Sequence, residues 1–241
     1  MKKLSLKLIA SFLFLLILSS CTERVIGEGP IITEEIELSS FNRIDLRVSG
    51  ELTIMQGNEQ SVMITGQQNI IEKLSRKVKD QKWEIEFSSG NYKYQRLEIL
   101  VIVPDINRVA LSGSGFIVVK DFDNMGNLKL TVSGSGDIDL ENLDGVDYID
   151  AVISGSGSIN GFGLISELSL LEISISGSGN LNGFDMAAKH CDILISGSGN
   201  CRVLVEESLD INISGSGSVY YKGDPATDIR ISGSGTVVDA N

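Results

Sequence analysis

The sequence predicts an all-β protein: a single-domain parallel β-solenoid, β-helix-like, with SGSG at every rung and a less regular N-terminal β cap. Three observations carry this. First, SGSG begins at Ser112, Ser133, Ser154, Ser176, Ser196, Ser214 and Ser232, in steps of 21, 21, 22, 20, 18 and 18 residues, the period of a solenoid coil. Second, three flanking columns are apolar in all 21 cases. The residue before each SGSG runs from Leu111 to Ile231, the one two places earlier from Val109 to Ile229, and the second residue after it from Ile117 to Val237. Third, a strand period of two puts those columns and both glycines of every SGSG on the inner face, with both serines outside. An inward glycine costs about 0.5 to 1 kcal/mol relative to alanine. Packing must therefore demand it, and the expectation is that the opposite wall of the coil, or a bend of the strand, leaves no room for a Cβ.

From the N-terminus, residues 1–20 read as a lipoprotein signal peptide. Lys2, Lys3 and Lys7 lead into an apolar run of 11 residues, Leu8 to Leu18, where a membrane span needs roughly 20. The run ends in Leu18-Ser19-Ser20-Cys21, which resembles the lipobox of bacterial lipoproteins. That resemblance implies cleavage before Cys21 and a lipid-modified cysteine as the new first residue, held by more than one acyl chain, palmitate among them. The alternative is an ordinary secretory signal with a chance cysteine. Residues 21–34, with Gly27, Gly29 and Pro30, read as a lipidated tether, and residues 35–241 as the solenoid domain.

Within that domain residues 35–107 are the irregular part and 108–241 the SGSG rungs. IDLRVSGELTIMQG, residues 44–57, alternates like an imperfect early rung. SVMITG, WEIEF and LEILVIV read as strands, and a short helix is expected to open at Asn69 with Glu72 three residues on. Leu74 to Lys82 is ambiguous between helix and hairpin. Lys73, Arg76, Lys77, Lys79 and Lys82 form a basic cluster, read as a solvated face. Asn241 follows the last SGSG by six residues, so the open edge of the last rung is expected to be covered by the N-terminal third or by other copies.

The serial SGSG from about Phe41 to Val238 resembles the head GIN domain of auto-transporter adhesins, a family of exported and often lipid-anchored β proteins. The resemblance implies a solenoid fold, a place in the cell envelope and no agreed catalytic residues. It leaves the ligand open.

Charge narrows the partners. The chain carries 20 Lys and Arg against 32 Asp and Glu, a net of −12. Loss of residues 1–20 removes three Lys and no acid, leaving −15. Nucleic acid is excluded as a partner, since little would neutralise phosphate, and an anionic membrane would repel the domain, so the lipid must hold it. Four residues before the SGSGs stand Arg108, Lys129, Asp150, Glu172, Asp192, Asp210 and Asp228. The last five are a weak candidate cation-binding stripe. A row of single carboxylates lacks the six to eight oxygens that calcium takes, and a solvated ladder is the plainer reading.

No catalytic constellation stands out. His190, the only histidine, reads as a surface residue, and Trp83, alternating with Ile85 and Phe87, as core. Cys191 and Cys201, ten residues apart, read as buried free thiols, because a straight strand would hold them about 33 Å apart. No cofactor is expected. The expectation is a non-enzymatic, lipid-anchored protein of the bacterial envelope, at the outer membrane, offering a rigid polar surface for adhesion or assembly. Its partners would be surface polysaccharide, protein or its own copies. The alternatives are a carbohydrate-active enzyme of the β-helix type and a scaffold without a ligand.

Overall fold

In the computed structural model, which describes residues 24–163 and 165–241, the alternation around each SGSG becomes two stacks of parallel strands. The strand before SGSG joins a first sheet: Arg108–Leu111, Gly126–Val132, Val146–Ile153, Ile165–Ile175, the later parts of Asn180–Ile195 and Asn200–Ile213, and Ala226–Ile231. The strand after SGSG joins a second: Phe116–Phe122, Asp137–Leu143, Ser158–Phe162, the earlier parts of the same two long strands, Ser218–Lys222 and Thr236–Asp239. The columns set the register, with Val109, Leu130, Ala151, Ile173, Ile193 and Ile211 consecutive partners. Of the 21 column residues 18 are buried, and the exceptions, Ile229, Ile231 and Val237, all lie on the last rung. Each buried Val, Leu or Ile contributes roughly 1.5–3 kcal/mol, which offsets the glycines.

SGSG is the corner between the sheets. Its serines are exposed, and none of its glycines has a positive φ, so space rather than backbone freedom selects them. A Cβ at Gly134 would lie 1.7 Å from the carbonyl oxygen of Gly113, and one at Gly155 1.9 Å from that of Gly134. Of the two expected settings the bend holds and the opposite wall does not, and the obstacle to a Cβ at that bend is the rung beneath. The same carbonyls accept the next corner's N–H groups, Ser135 N on Gly113 O at 3.2 Å and Ser156 N on Gly134 O at 3.1 Å.

Two further rungs lie on the N-terminal side. In one, Arg43–Leu46 and Glu51–Gln56 flank a corner made of Arg47, Val48, Ser49 and Gly50; in the other, Lys82–Ile85 and Leu97–Val103 are the two strands. The 43–56 rung sits between 82–103 and 108–122, so order in space departs from order in the chain. Neither rung has SGSG, which corrects its expectation at every rung. The antiparallel strands Ser61–Gln67 and Ile31–Glu35 continue the second sheet beyond Leu97–Val103.

Val78–Lys79 pairs antiparallel with Lys82–Ile85. Asp80 and Gln81 have φ of 50° and 56°, as a two-residue hairpin requires, so the ambiguous stretch is a hairpin. The expected helix spans Gln68–Ile71 and has no side-chain cap. Asn69 Nδ2 donates instead to Ile26 O at 2.7 Å, and its Oδ1 accepts from Glu28 N at 3.0 Å. Those bonds help hold Arg24–Ile26 against Asn91–Lys93. The described part of the expected tether therefore contains strands. The N-terminal third lies at the opposite end from the last rung and does not fold back over it; there Ile229 and Ile231 are 42% and 43% exposed.

Trp83 is fully buried, tilted against Phe41 with its Nε1 donating to Ser75 O at 2.8 Å. Cys191 on the first sheet and Cys201 on the second are buried free thiols. Burial pushes both well above the ordinary thiol range.

Candidate functional site

The outward columns of the first sheet gather the charge. Arg108, Lys129, Asp150, Glu172, Asp192, Asp210 and Asp228 are successive register partners. Arg43, opposite Arg108, and Lys82, opposite Arg43, extend this file. Nine charges therefore stand at a rung spacing of about 4.8 Å, four cations followed by five acids. Lys129 Nζ bridges Asp150 where the sign changes. The place of Arg43 and Lys82 in this file, Lys82 having been grouped only with the basic cluster, escaped the sequence reading because their rungs are out of chain order. A signal was available: RIDLRVSG at 43–50 parallels RVALSGSG at 108–115.

Like charges on adjacent strands repel. Partial burial, and then Asp210 and Glu172, raise the Asp192 carboxyl above its ordinary range. Glu172 accepts from the Tyr148 hydroxyl, a bond that, with burial, pushes the phenol up to about 12. A groove of about 270 Å³ runs beside Asp150, Glu172, Asp192 and Asp210, and Leu194, 48% exposed, lines it. Among the described residues no three His, Cys, Asp or Glu are grouped to hold a metal.

At the cationic end Arg43, Lys82 and Arg108 line a cleft of about 530 Å³ with Lys77 and Lys79 of the hairpin. Arg47 bonds Asp45, Glu84 and Glu86 at 2.7, 2.7 and 2.8 Å and so occupies three of the four acids that line the cleft, Asp80 being the fourth. These partners, Asp45 first, raise the Arg47 pKa further. Of the basic cluster, Arg76 pairs with Glu34 at 2.8 Å and Lys82 with Glu84 at 2.5 Å. Lys77 and Lys79, like Arg43 and Arg108, make no ion pair among the described residues.

The second sheet carries a different ladder that the sequence reading missed. Asn160 Nδ2 donates to Asp139 Oδ1 at 2.7 Å, Asn182 Nδ2 to Asn160 Oδ1 at 2.7 Å, and Arg202 Nη1 to Asn182 Oδ1 at 2.9 Å. Arg202 lies 5.3 Å from the centre of the Tyr220 ring. Every donor points toward the N-terminal rungs, so a carboxylate and a guanidinium close a one-way chain of dipoles. Burial raises the Asp139 carboxyl. Asp139, Asn160, Asn182 and Arg202 each stand six residues after the first serine of an SGSG, which was the available signal.

His190 is exposed, its Nδ1 2.8 Å from Ser208 Oγ and its Nε2 3.7 Å from Glu207. Cys21, the lipidation candidate, lies outside the described residues.

Stacked parallel rungs with hydrogen-bonded outer ladders define a class, the two-sheet parallel β-solenoids. Solved structures share the fold. A "putative adhesin" from Bacteroides fragilis NCTC 9343 is 22% identical with a TM-score of 0.81, covering 88% of this chain and 98% of its own. A "putative lipid binding protein" from Parabacteroides distasonis ATCC 8503 is 22% identical with a TM-score of 0.78, covering 90% of this chain and 100% of its own. A "putative adhesin" from the same organism is 24% identical with a TM-score of 0.70, covering 89% and 99%. No curated protein matches the chain. The chain belongs to the family described as "Putative auto-transporter adhesin, head GIN domain", whose profile matches residues 40–225.

Proposed function

We propose that this protein is a non-enzymatic, lipid-anchored component of the bacterial cell envelope, at the outer membrane, whose solenoid is a rigid polar surface for adhesion or assembly. The observation that carries the reading is the uninterrupted outer face: nine charges held in register on one sheet. A hydrogen-bonded ladder, Asp139 to Arg202, runs along the other. The side chains of that ladder, locked to neighbouring rungs, lose little further entropy on contact, which suits repeated weak contacts whose strength comes from avidity. The antiparallel strands at the N-terminal side act as the cap a solenoid needs.

Anchoring depends on one sulfur, Cys21. Cys21→Ala should move the protein from the membrane fraction to a soluble one, and a variant that still sediments with membranes after a salt wash contradicts the anchor. Vesicles carrying the lipidated protein should be retained on envelope polysaccharide or on cells. Vesicles prepared with Cys21→Ala protein should not. Equal retention of both refutes the lipid-displayed adhesive surface.

A further inference from the structure

We propose that the outer face of the first sheet docks a second copy of this protein, inverted about a two-fold axis that lies in the interface parallel to the strands. Such an axis keeps each column opposite itself and reverses the order of the rungs. Centred on Asp150, the middle of the nine charges, it sets Lys82 against the second copy's Asp228, Arg43 against its Asp210, Arg108 against its Asp192 and Lys129 against its Glu172. The symmetry repeats each pair. Asp150 meets its own copy on the axis, where Lys129 already supplies a cation. A parallel arrangement would stack cation on cation and acid on acid, so the same pattern selects against it.

Composition and size agree. Beside the charged file, two residues nearer the corner, run Glu84, Asp45, Ala110, Thr131, Val152, Ser174, Leu194, Asn212 and Arg230, uncharged and mostly small from Ala110 to Asn212; at the ends the two-fold sets Glu84 against the second copy's Arg230 and Asp45 against its Asn212. An uncharged seam with a charged flank is how protein interfaces are composed. Eight rung steps of about 4.8 Å and six strand residues of about 3.3 Å each give roughly 38 by 20 Å. That is about 760 Å² per copy, close to the roughly 800 Å² per partner of a standard interface. The cleft of about 530 Å³ at the cationic end lies where the second copy's last rung arrives, with Asp228 and the Arg230 that bridges it. Both copies are acidic overall, but a Debye length of about 8 Å at physiological ionic strength confines repulsion to near neighbours, and there opposite signs meet.

The strand Arg24–Ile26 pairs with the corner segment of the 82–103 rung, at the cationic end of the file. The two-fold therefore carries the two N-termini to opposite ends of the pair. Copies held by Cys21 in facing membranes can meet this way, and the dimer becomes an adhesive contact between them. That consequence rests on the anchor of the proposed function; the dimer does not.

Sedimentation velocity of the purified full chain in detergent, at micromolar concentrations, tests the proposal. The wild type should dimerise. Arg108→Glu or Asp192→Lys alone should weaken the dimer at least about tenfold, since the two-fold counts each change twice. Arg108→Glu with Asp192→Lys should restore it, because these residues face each other across the axis. Arg43→Glu with Asp210→Lys is an independent repeat. A wild type that remains monomeric, or double variants no tighter than the singles, overturns the proposal. A monomer whose vesicles still adhere to cells overturns the dimer and leaves the proposed function standing.

Discussion

Alanine at Gly155 tests how the rungs are stacked. Its Cβ would lie 1.9 Å from the Gly134 carbonyl oxygen and 2.9 Å from the carbonyl carbon, whereas real Cβ contacts essentially never fall below 3.0 Å. The two corners must therefore part by about 1.1 Å, the difference between those distances. The bond from Ser156 N to Gly134 O, now 3.1 Å, would stretch beyond hydrogen-bonding range, and that from Ser154 N to Val132 O, now 2.9 Å, would be strained. Two weakened bonds at about 1 kcal/mol each, added to an overpacking cost of about 1 to 3 kcal/mol, predict a loss of roughly 3 to 5 kcal/mol. Gly113 is the internal control, because beneath it lies a corner without SGSG, and its Cβ would meet nothing nearer than Arg47 and Val48 backbone atoms at 3.0 Å. Gly113→Ala should cost about 1 kcal/mol, as overpacking at its mildest does. Urea denaturation of both variants gives the comparison. Equal losses would refute rung-on-rung contact as the reason for the glycines.

Neither Cys191 nor Cys201 should react with a thiol reagent in the native protein, and both should react once it is unfolded; rapid labelling of the folded chain would contradict their burial. Because the Asp192 carboxyl is raised above its usual range, first by burial and then by Asp210 and Glu172, the folded state binds its proton more readily than the unfolded state. The contribution of this group to stability should therefore grow as pH falls from neutral through the raised pKa. At concentrations where the chain is monomeric, Asp192→Asn should melt higher than wild type at neutral pH and show less of that gain on acidification, and identical pH profiles would remove the ladder repulsion. Asn160→Leu takes the amide donor from Asp139 and the acceptor from Asn182, and should cost about 2 kcal/mol by urea denaturation; a neutral effect would show that the ladder contributes little.

The SGSG rungs were legible because every one obeys the same local rule. Leu130, Val132 and Ile138, for example, announce an inner face by period two, and stacking repeats that face without any long-range choice. What escaped was decided by pairing between distant segments. Nothing local to Arg43–Leu46 says that Lys82–Ile85 will lie on one side of it and Arg108–Leu111 on the other, so the cationic half of the file was seen only in Arg108 and Lys129. The glycine requirement was read correctly as a lack of space, with a bend as one of its two settings, but the rung beneath was missed as the obstacle, because sequence gives the inward direction and not the depth of the corner beneath. At Asn69 the capping signal was real chemistry, since the side chain does bind backbone groups, but its partners are Ile26 and Glu28 of a remote strand. The Asn160–Asn182 ladder was overlooked because asparagine in a strand reads as a neutral surface residue until its rung neighbours are known.

The most direct test of the account is to incubate the purified protein with immobilised envelope polysaccharides and measure both its retention and the length of each polymer afterwards. The account predicts retention on at least one polymer, lost when the outer charges are reversed, with every chain at its original length. Shortened polymer, with new chain ends that accumulate with time, would contradict it and make the solenoid an enzyme.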